Sequence, residues 1–292
     1  MPAMQVIPIF HNETNTFTYV VTKDDEALII DPVLDYSYEL GRISFASLEN
    51  LLEVIEKSRC KVLGVLDTHF HADHLTGSFY LKSKLGCPSI IGQGFLKNQA
   101  YFARIFGLEK VIAEGPKAYD QLVEHGQVIS LGKFNIEAIS VAGHTPSCMA
   151  YHIDDAVFLG DAVFMPKIGS GRTDFPGGSA YDLIHNLREH ILSLPDDTRI
   201  FVGHDYPSGE AKPQNQTTVK ETRQNNFMLN DNVSEEEFIV RRNERDKTLA
   251  PPRLMMQASQ VNIFGGRLYF SDPHHKYLKL PLSVKPSPHF YI

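Results

Sequence analysis

Val62-Leu63-Gly64-Val65-Leu66 followed by Thr68-His69-Phe70-His71-Ala72-Asp73-His74 is an apolar run that ends in three imidazoles and a carboxylate. The apolar part reads as a buried strand and the polar part as the loop that leaves it. Imidazole and carboxylate suit zinc, iron, nickel or manganese. At an extended strand end, residues two apart point the same way, so His69 and His71 can face one ion together. Where the chain turns into a helix, Asp73 and His74 swing toward a second, adjacent position. Taken alone, the segment could also be a polar loop whose histidines only hydrogen-bond.

Three similar loops follow. Gly143-His144-Thr145 ends the alternating run Ile136–Val141, Gly160-Asp161 ends Ala156-Val157-Phe158-Leu159, and Gly203-His204-Asp205 ends Ile200-Phe201-Val202. Each is a β-branched or aromatic strand, then a glycine that lets backbone approach closely, then a ligand-type side chain. Strand ends cluster when the strands share a sheet, and sites form there. The pattern therefore predicts a metal site built at strand ends.

The order His-x-His-x-Asp-His, His, Asp, His resembles the metallo-β-lactamase superfamily. The resemblance implies an α/β fold, a four-layer αββα sandwich with its metal site at one edge between two sheets. Residue by residue, His69, His71 and His144 match the first metal site of that pattern. Asp73, His74 and His204 match the second, and Asp161 matches the bridging carboxylate.

At 292 residues and 42% hydrophobic, the chain can bury a large core. A net charge of −7 argues against nucleic acid or an anionic membrane as partner. No apolar run reaches the roughly 20 residues of a membrane span, and Met1–Phe10 lacks a basic n-region and an apolar signal core. A cytoplasmic protein is expected. Cys60, Cys87 and Cys148 are odd in number and scattered, which fits a reducing compartment and neither a disulfide frame nor a thiolate zinc site. A homodimer is compatible with the chain, but no motif specifies it.

Strands are expected at Gln5–Phe10, Thr16–Val21 and Ala27–Ile30, the last stopped by Asp31-Pro32. Ser47 reads as the N-cap of a helix carrying Leu48, Leu51, Leu52 and Ile55. Leu75–Leu85 reads as a helix ending at Gly86, and Phe95, Gln99, Phe102, Ala103 and Phe106 mark another. Ser179-Ala180-Tyr181-Asp182 and Ser234-Glu235-Glu236-Glu237 read as capping boxes. Residues 1–207 form the expected core. Residues 208–292 form a C-terminal extension of helices plus a terminal strand, packed on the same domain. Ser208–Thr218 reads as its entry loop and Val261-Asn262-Ile263-Phe264 as its strand. The basic run Arg241, Arg242, Arg245, Lys247 follows acidic residues along one helix and reads as a solvated face that complements the helix dipole. His185, His190 and the pair His274-His275 read as ordinary surface or helical residues.

Gly171-Arg172-Thr173-Asp174-Phe175 and His204-Asp205-Tyr206 narrow the resemblance to the persulfide dioxygenase (sulfur dioxygenase) branch. The match is closest to its bacterial β-lactamase-hydrolase-like members, whose later segment Glu221–Leu282 also resembles. Cys148 stands where glyoxalase II enzymes carry a further histidine. The branch implies one Fe(II) per chain held by His69, His144 and Asp161, with His71, Asp73, His74 and His204 orienting ligands and waters. A two-histidine, one-carboxylate triad leaves open positions for O₂ and a sulfur. The implied substrate is glutathione persulfide and the implied products are sulfite and glutathione. Arg172 and Tyr206 are the implied glutathione contacts, through a planar fork and a hydroxyl. For Arg172 the alternative is a structural ion pair with Asp174. Human-type members carry a cysteine where this chain has Ser170, a change expected to bear on substrate range rather than on activity itself. The rival class is a hydrolase with one or two Zn(II), a glyoxalase II-like thioesterase or a lactonase, in which a bridging hydroxide attacks a carbonyl. A metal-stabilised binding protein fits less well, because seven ligand-type residues exceed what one closed structural site requires.

Overall fold

The computed structural model describes residues 4–269 and 277–281. The chain opens with β1 (Gln5–His11), β2 (Thr16–Lys23), β3 (Glu26–Ile30), β4 (Val33–Ser37) and β5 (Arg42–Ser44). It continues through α1 (Ala46–Ser58), β6 (Lys61–Asp67), β7 (Leu75–Thr76), α2 (Ser78–Leu85), β8 (Ser89–Gly92), α3 (Phe95–Phe106), α4 (Glu109–Glu114) and β9 (Gln121–Val123). Next come β10 (Gln127–Leu131), β11 (Phe134–Ser140), β12 (Met149–Ile153), β13 (Ala156–Phe158), α5 (Ala180–Asn186) and β14 (Arg199–Phe201). The described part closes with β15 (Gln216–Thr218), α6 (Val219–Asn225), α7 (Glu235–Asp246) and α8 (Met255–Asn262).

Two six-stranded sheets form, in the orders β1-β2-β3-β6-β8-β9 and β10-β11-β12-β13-β14-β15. Strand β2 shows why they stack. Its period of two sends Phe17, Tyr19 and Val21 inward, where they share a cluster with Phe134, Tyr151, Phe158 and Phe201 of the second sheet. Val20, on its other face, packs outward among Leu48, Leu51, Ile55, Leu81 and Val261 of α1, α2 and α8. The buried Tyr19 hydroxyl donates to the Val202 carbonyl at 2.6 Å, tying the sheets together without an orphaned polar atom. On the far side, Leu183 and Phe238 of α5 and α7 cover Val157 and Ile200 of the second sheet. The layers are helix, sheet, sheet, helix, as expected. Among the described residues no helix is long and apolar enough to cross a membrane.

Four expectations about local elements fail, and one about a charged face. Ser47 lies inside α1, not at its cap: Phe45 precedes the helix, and the Ser47 amide and hydroxyl donate to Asp35 instead. Leu75 and Thr76 pair with β4 before α2 begins at Ser78, since Gly77 lies between. Ser208–Thr218 is not all loop, because Gln216–Thr218 pairs with β14. Val261 and Asn262 end α8, and no strand follows β15 among the described residues. Burial explains the last error: all residues from Ala258 to Ile263 are buried, and a helix buried all round carries no amphipathic period to distinguish it from a strand. Both serines are N-caps, Ser179 accepting from the Asp182 amide and Ser234 from the Glu237 amide. The return half of each box is not made: the Ser179 amide donates to the Gly143 carbonyl, and Glu237 pairs with Arg241. The solvated-face reading fails for Arg242, which is 1% exposed. His274 and His275 lie outside the described residues.

Candidate metal centre

The four ligand-type loops all leave strands at the same edge of the sandwich, after β6, β11, β13 and β14. Glycine is required where two of them touch. A Cβ on Gly160, whose φ is +50°, would sit 2.2 Å from Thr68 Oγ1, and one on Gly203 would sit 2.5 Å from Asp161 Oδ1. His69, His144 and Asp161 offer ligand atoms within 4.8 Å of one another, and so do His71, Asp73 and His74. Asp161 faces both ways. Its Oδ2 lies 3.9 Å from His69 Nε2 and 3.6 Å from His144 Nε2, while Oδ1 lies 3.4 Å from His204 Nε2. His204 Nε2 is also 3.2 Å from Asp73 Oδ2. All seven expected ligand residues therefore meet in one pocket.

Each imidazole is held by its outer nitrogen. His69 Nδ1 meets Thr68 Oγ1 at 3.0 Å, His71 Nε2 meets Asp31 Oδ1 at 3.0 Å, and His74 Nδ1 meets the Leu75 carbonyl at 3.1 Å. His144 Nδ1 donates to the Arg172 carbonyl at 2.6 Å and His204 Nδ1 to the Asn15 carbonyl at 2.9 Å. The opposite atoms His69 Nε2, His71 Nδ1 and His74 Nε2 are buried with no hydrogen-bond partner, and Asp73 Oδ2 and Asp161 Oδ1 have only the His204 contacts above. Buried polar atoms are rarely left so, and a cation held by either group would satisfy the atoms that face it. The residues fit a metal ion.

The electrostatics agree. Burial, reinforced by neighbouring imidazoles, holds His69 and His71 well below the usual histidine range, so both are neutral and able to bind metal. Burial would raise Asp73, but His74 and His204 outweigh it and keep the carboxyl ionised. Burial would lower His204, yet Asp161 and Asp73 push it up to about 10. The carboxylates thus favour positive charge at the centre of the pocket.

Beyond the expected ligands, several residues shape the site that motif reading passes over. Asp31 accepts from the Thr68 amide, the Thr68 hydroxyl and His71. Asn262 of α8 donates to the carbonyls of His71 and His74 and accepts from the Thr76 amide. Asp31 closed a strand before a proline, which reads as a stop signal, and Asn262 carries no motif at all.

The two expected substrate contacts differ in setting. Tyr206 stacks on His204, rings 5.9 Å apart and 3° from parallel, with about half its surface exposed. Desolvation at the pocket wall, with Asp161 and Asp73 beyond it, raises its hydroxyl above the usual tyrosine range, so it stays protonated. Arg172 makes a bidentate pair with Asp174 at 2.6 and 2.8 Å and donates to the Ala250 carbonyl. Ser170 is buried with its hydroxyl toward Met228 and the Gly171 carbonyl. Cys148 is buried beside Thr145, and burial pushes its thiol up to about 12.

A family model described as Metallo-beta-lactamase superfamily matches residues 11–204, the span that carries every one of these ligands. The chain is a metallo-β-lactamase superfamily member. Three relatives show where within the superfamily it falls. Glyoxylase B2 of Dictyostelium discoideum is 35% identical over 96% of this chain and 97% of its own. The Beta-lactamase hydrolase-like protein of Xylella fastidiosa is 38% identical over 96% of this chain and 65% of its own. The mitochondrial Persulfide dioxygenase ETHE1 of Homo sapiens is 33% identical over 79% of this chain and 77% of its own. Among solved structures, ETHE1 from Myxococcus xanthus superposes on this superfamily member with a TM-score of 0.73, at 26% identity over 90% of this chain and all of the other.

Proposed function

We propose that this chain is a persulfide dioxygenase that uses one Fe(II), held by His69, His144 and Asp161, to oxidise glutathione persulfide to sulfite and glutathione. The observation that carries the reading is the triad itself: two imidazoles and one carboxylate offer ligand atoms within 4.8 Å of one another, and His69 Nε2 is buried with no hydrogen-bond partner. The relatives named as persulfide dioxygenase or ETHE1 support the choice of reaction. One persulfide, one O₂ and one water give thiol, sulfite and two protons, the sulfurs losing four electrons to O₂. Fe(II), when bound, supplies the redox chemistry and the open positions that bring sulfur and oxygen together.

The chain's own residues do the rest. Thr68 and Asp31 fix His69 and His71, and the Arg172 carbonyl fixes His144. His71 Nδ1, a neutral nitrogen with no partner, can accept a hydrogen bond from a water in the pocket. Tyr206 offers a protonated hydroxyl to the peptide. Three of the five N–H groups of Arg172 are engaged, which leaves two for a glutathione carboxylate. In this reading residues 1–207 are the catalytic core, and the described part of 208–292 braces it.

One observation favours a second reading. His71 Nδ1 and His74 Nε2 are buried and unpartnered, Asp73 offers a carboxylate within 4.8 Å of both, and Asp161 faces both groups, which is the donor set for a second ion. The alternative is a zinc hydrolase, glyoxalase II-like or lactonase, in line with the Dictyostelium relative's name. Metal analysis of protein purified without added metal separates them. One iron per chain supports the dioxygenase, and two zinc ions per chain support the hydrolase.

A further inference from the structure

We propose that the buried Arg242–Asp246 pair of α7 positions two of the candidate metal ligands, His144 and Asp161, by clamping the segment Gly169–Asp174. The inference rests on the metal reading of the site and is independent of which reaction the metal serves. Arg242 and Asp246 are 1% and 4% exposed. One face of the pair joins Arg242 Nη2 to Asp246 Oδ1 at 2.6 Å. The other face grips the segment twice: Arg242 Nη1 donates to the Ser170 carbonyl at 2.9 Å, and Asp246 Oδ2 accepts from the Thr173 amide and hydroxyl at 2.8 and 3.0 Å.

Between those grips lie the two residues that touch the ligands. The Gly171 amide donates to the Asp161 carbonyl at 3.0 Å, in a contact so close that a Cβ on Gly171 would stand 2.0 Å from that oxygen. The Arg172 carbonyl accepts from His144 Nδ1 at 2.6 Å, which leaves Nε2 bare toward Asp161. A loop without regular hydrogen bonds would let both contacts drift, and α7 supplies the missing rigidity. The pair is a costly way to gain stability alone. Arg242 Nε is buried without a partner, and well-packed apolar residues often replace a buried ion pair with no loss of stability. What apolar residues cannot do is hold the Ser170 carbonyl and the Thr173 amide in fixed directions.

The test uses the full chain carrying Arg242→Met and Asp246→Leu together. Thermal unfolding of the metal-free protein and Zn(II) affinity by chelator competition are measured side by side, with the Co(II) absorption spectrum as a report on ligand geometry. We expect a metal-free protein that still folds, with a Tm lowered by the loss of partners for the Ser170 carbonyl and the Thr173 amide, Zn(II) bound about tenfold to a hundredfold more weakly, and an altered Co(II) spectrum. Parental Zn(II) affinity in a folded double variant would overturn the proposal. If the double variant does not fold, Arg242→Lys decides. It keeps the charge, but a single ammonium cannot present the guanidinium's fork to Ser170 and Asp246 at once. Weaker Zn(II) binding with an altered Co(II) spectrum in the folded variant supports the clamp, and unchanged binding refutes it. Because Zn(II) binding is read directly, failure of the dioxygenase reading would leave this result standing.

Discussion

Asp31→Asn swaps one oxygen for an NH₂ at the head of a buried relay, and its effect on the metal can be worked from the hydrogen bonds. Asp31 Oδ2 accepts the Thr68 hydroxyl at 2.7 Å, so Thr68 Oγ1 is free to accept from His69 Nδ1 at 3.0 Å and leaves His69 Nε2 bare toward the pocket. Oδ1 accepts from the Thr68 amide and from His71 Nε2, which leaves His71 Nδ1 bare in turn. In the asparagine variant, Oδ1 keeps the two donors it already has. The new Nδ2 then faces the Thr68 hydroxyl, which must accept instead of donate and turns its own proton toward His69 Nδ1. That reverses the His69 tautomer and puts a proton on the ligand atom. The loss is about one charge-assisted hydrogen bond, about 1.5–3 kcal/mol, or roughly tenfold to a hundredfold in metal affinity. Burial, which pushes the Asp31 carboxyl up to about 6, makes the ionised form unfavourable in the fold, so neutralising it should not lower the metal-free Tm. The assay is Zn(II) competition at neutral pH beside thermal unfolding of the metal-free protein, with Thr68→Val as a second break in the same relay. Parental Zn(II) affinity in Asp31→Asn would refute the tautomer reasoning.

Arg172→Ala should raise KM more than it lowers kcat, by about tenfold to a hundredfold in kcat/KM, because a charge-assisted contact to substrate is lost; an unchanged KM would leave Arg172 as the partner of Asp174 alone. Gly160→Ala should cost both fold stability and metal retention, since its Cβ would clash with Thr68 Oγ1 at a backbone conformation that alanine disfavours; a melting curve and metal content check both. His144→Ala and Asp161→Ala should abolish retention of iron, whereas His204→Ala should weaken it less, as read by metal content after gel filtration. Iodoacetamide at mildly alkaline pH should leave Cys148 unmodified in the folded protein, because burial keeps its thiol protonated up to about 12, while the partly exposed Cys60 reacts first; peptide mass mapping distinguishes them.

Much of this was legible because ligand chemistry and strand periodicity coincide. Val62–Leu66 is a strand, and His69, His71, Asp73 and His74 do leave it for one pocket, since two-residue alternation and a following turn are local properties. The later ligands were legible for the same reason, each following an apolar strand and a glycine. The supporting residues were not. Asp31, Asn262 and the Arg242–Asp246 pair act through contacts between positions far apart in sequence, and each has an ordinary local reading as a strand stop, a buried helical residue or a charged helix face. Arg242 in particular sits in a basic run beside the exposed Arg241 and Arg245, and only the packing of α7 on Gly169–Asp174 distinguishes it. Helix boundaries at Ser47 and Leu75 were misplaced because Asp35 and β4 offered tertiary hydrogen bonds that outcompeted local capping.

Oxygen uptake by the protein as purified, with glutathione persulfide as substrate and lactoyl-glutathione hydrolysis followed in parallel, bears most directly on the proposed reaction. A persulfide dioxygenase consumes one O₂ for each sulfite formed and leaves the thioester largely intact. No oxygen uptake together with rapid thioester cleavage would contradict the assignment and make the chain a hydrolase.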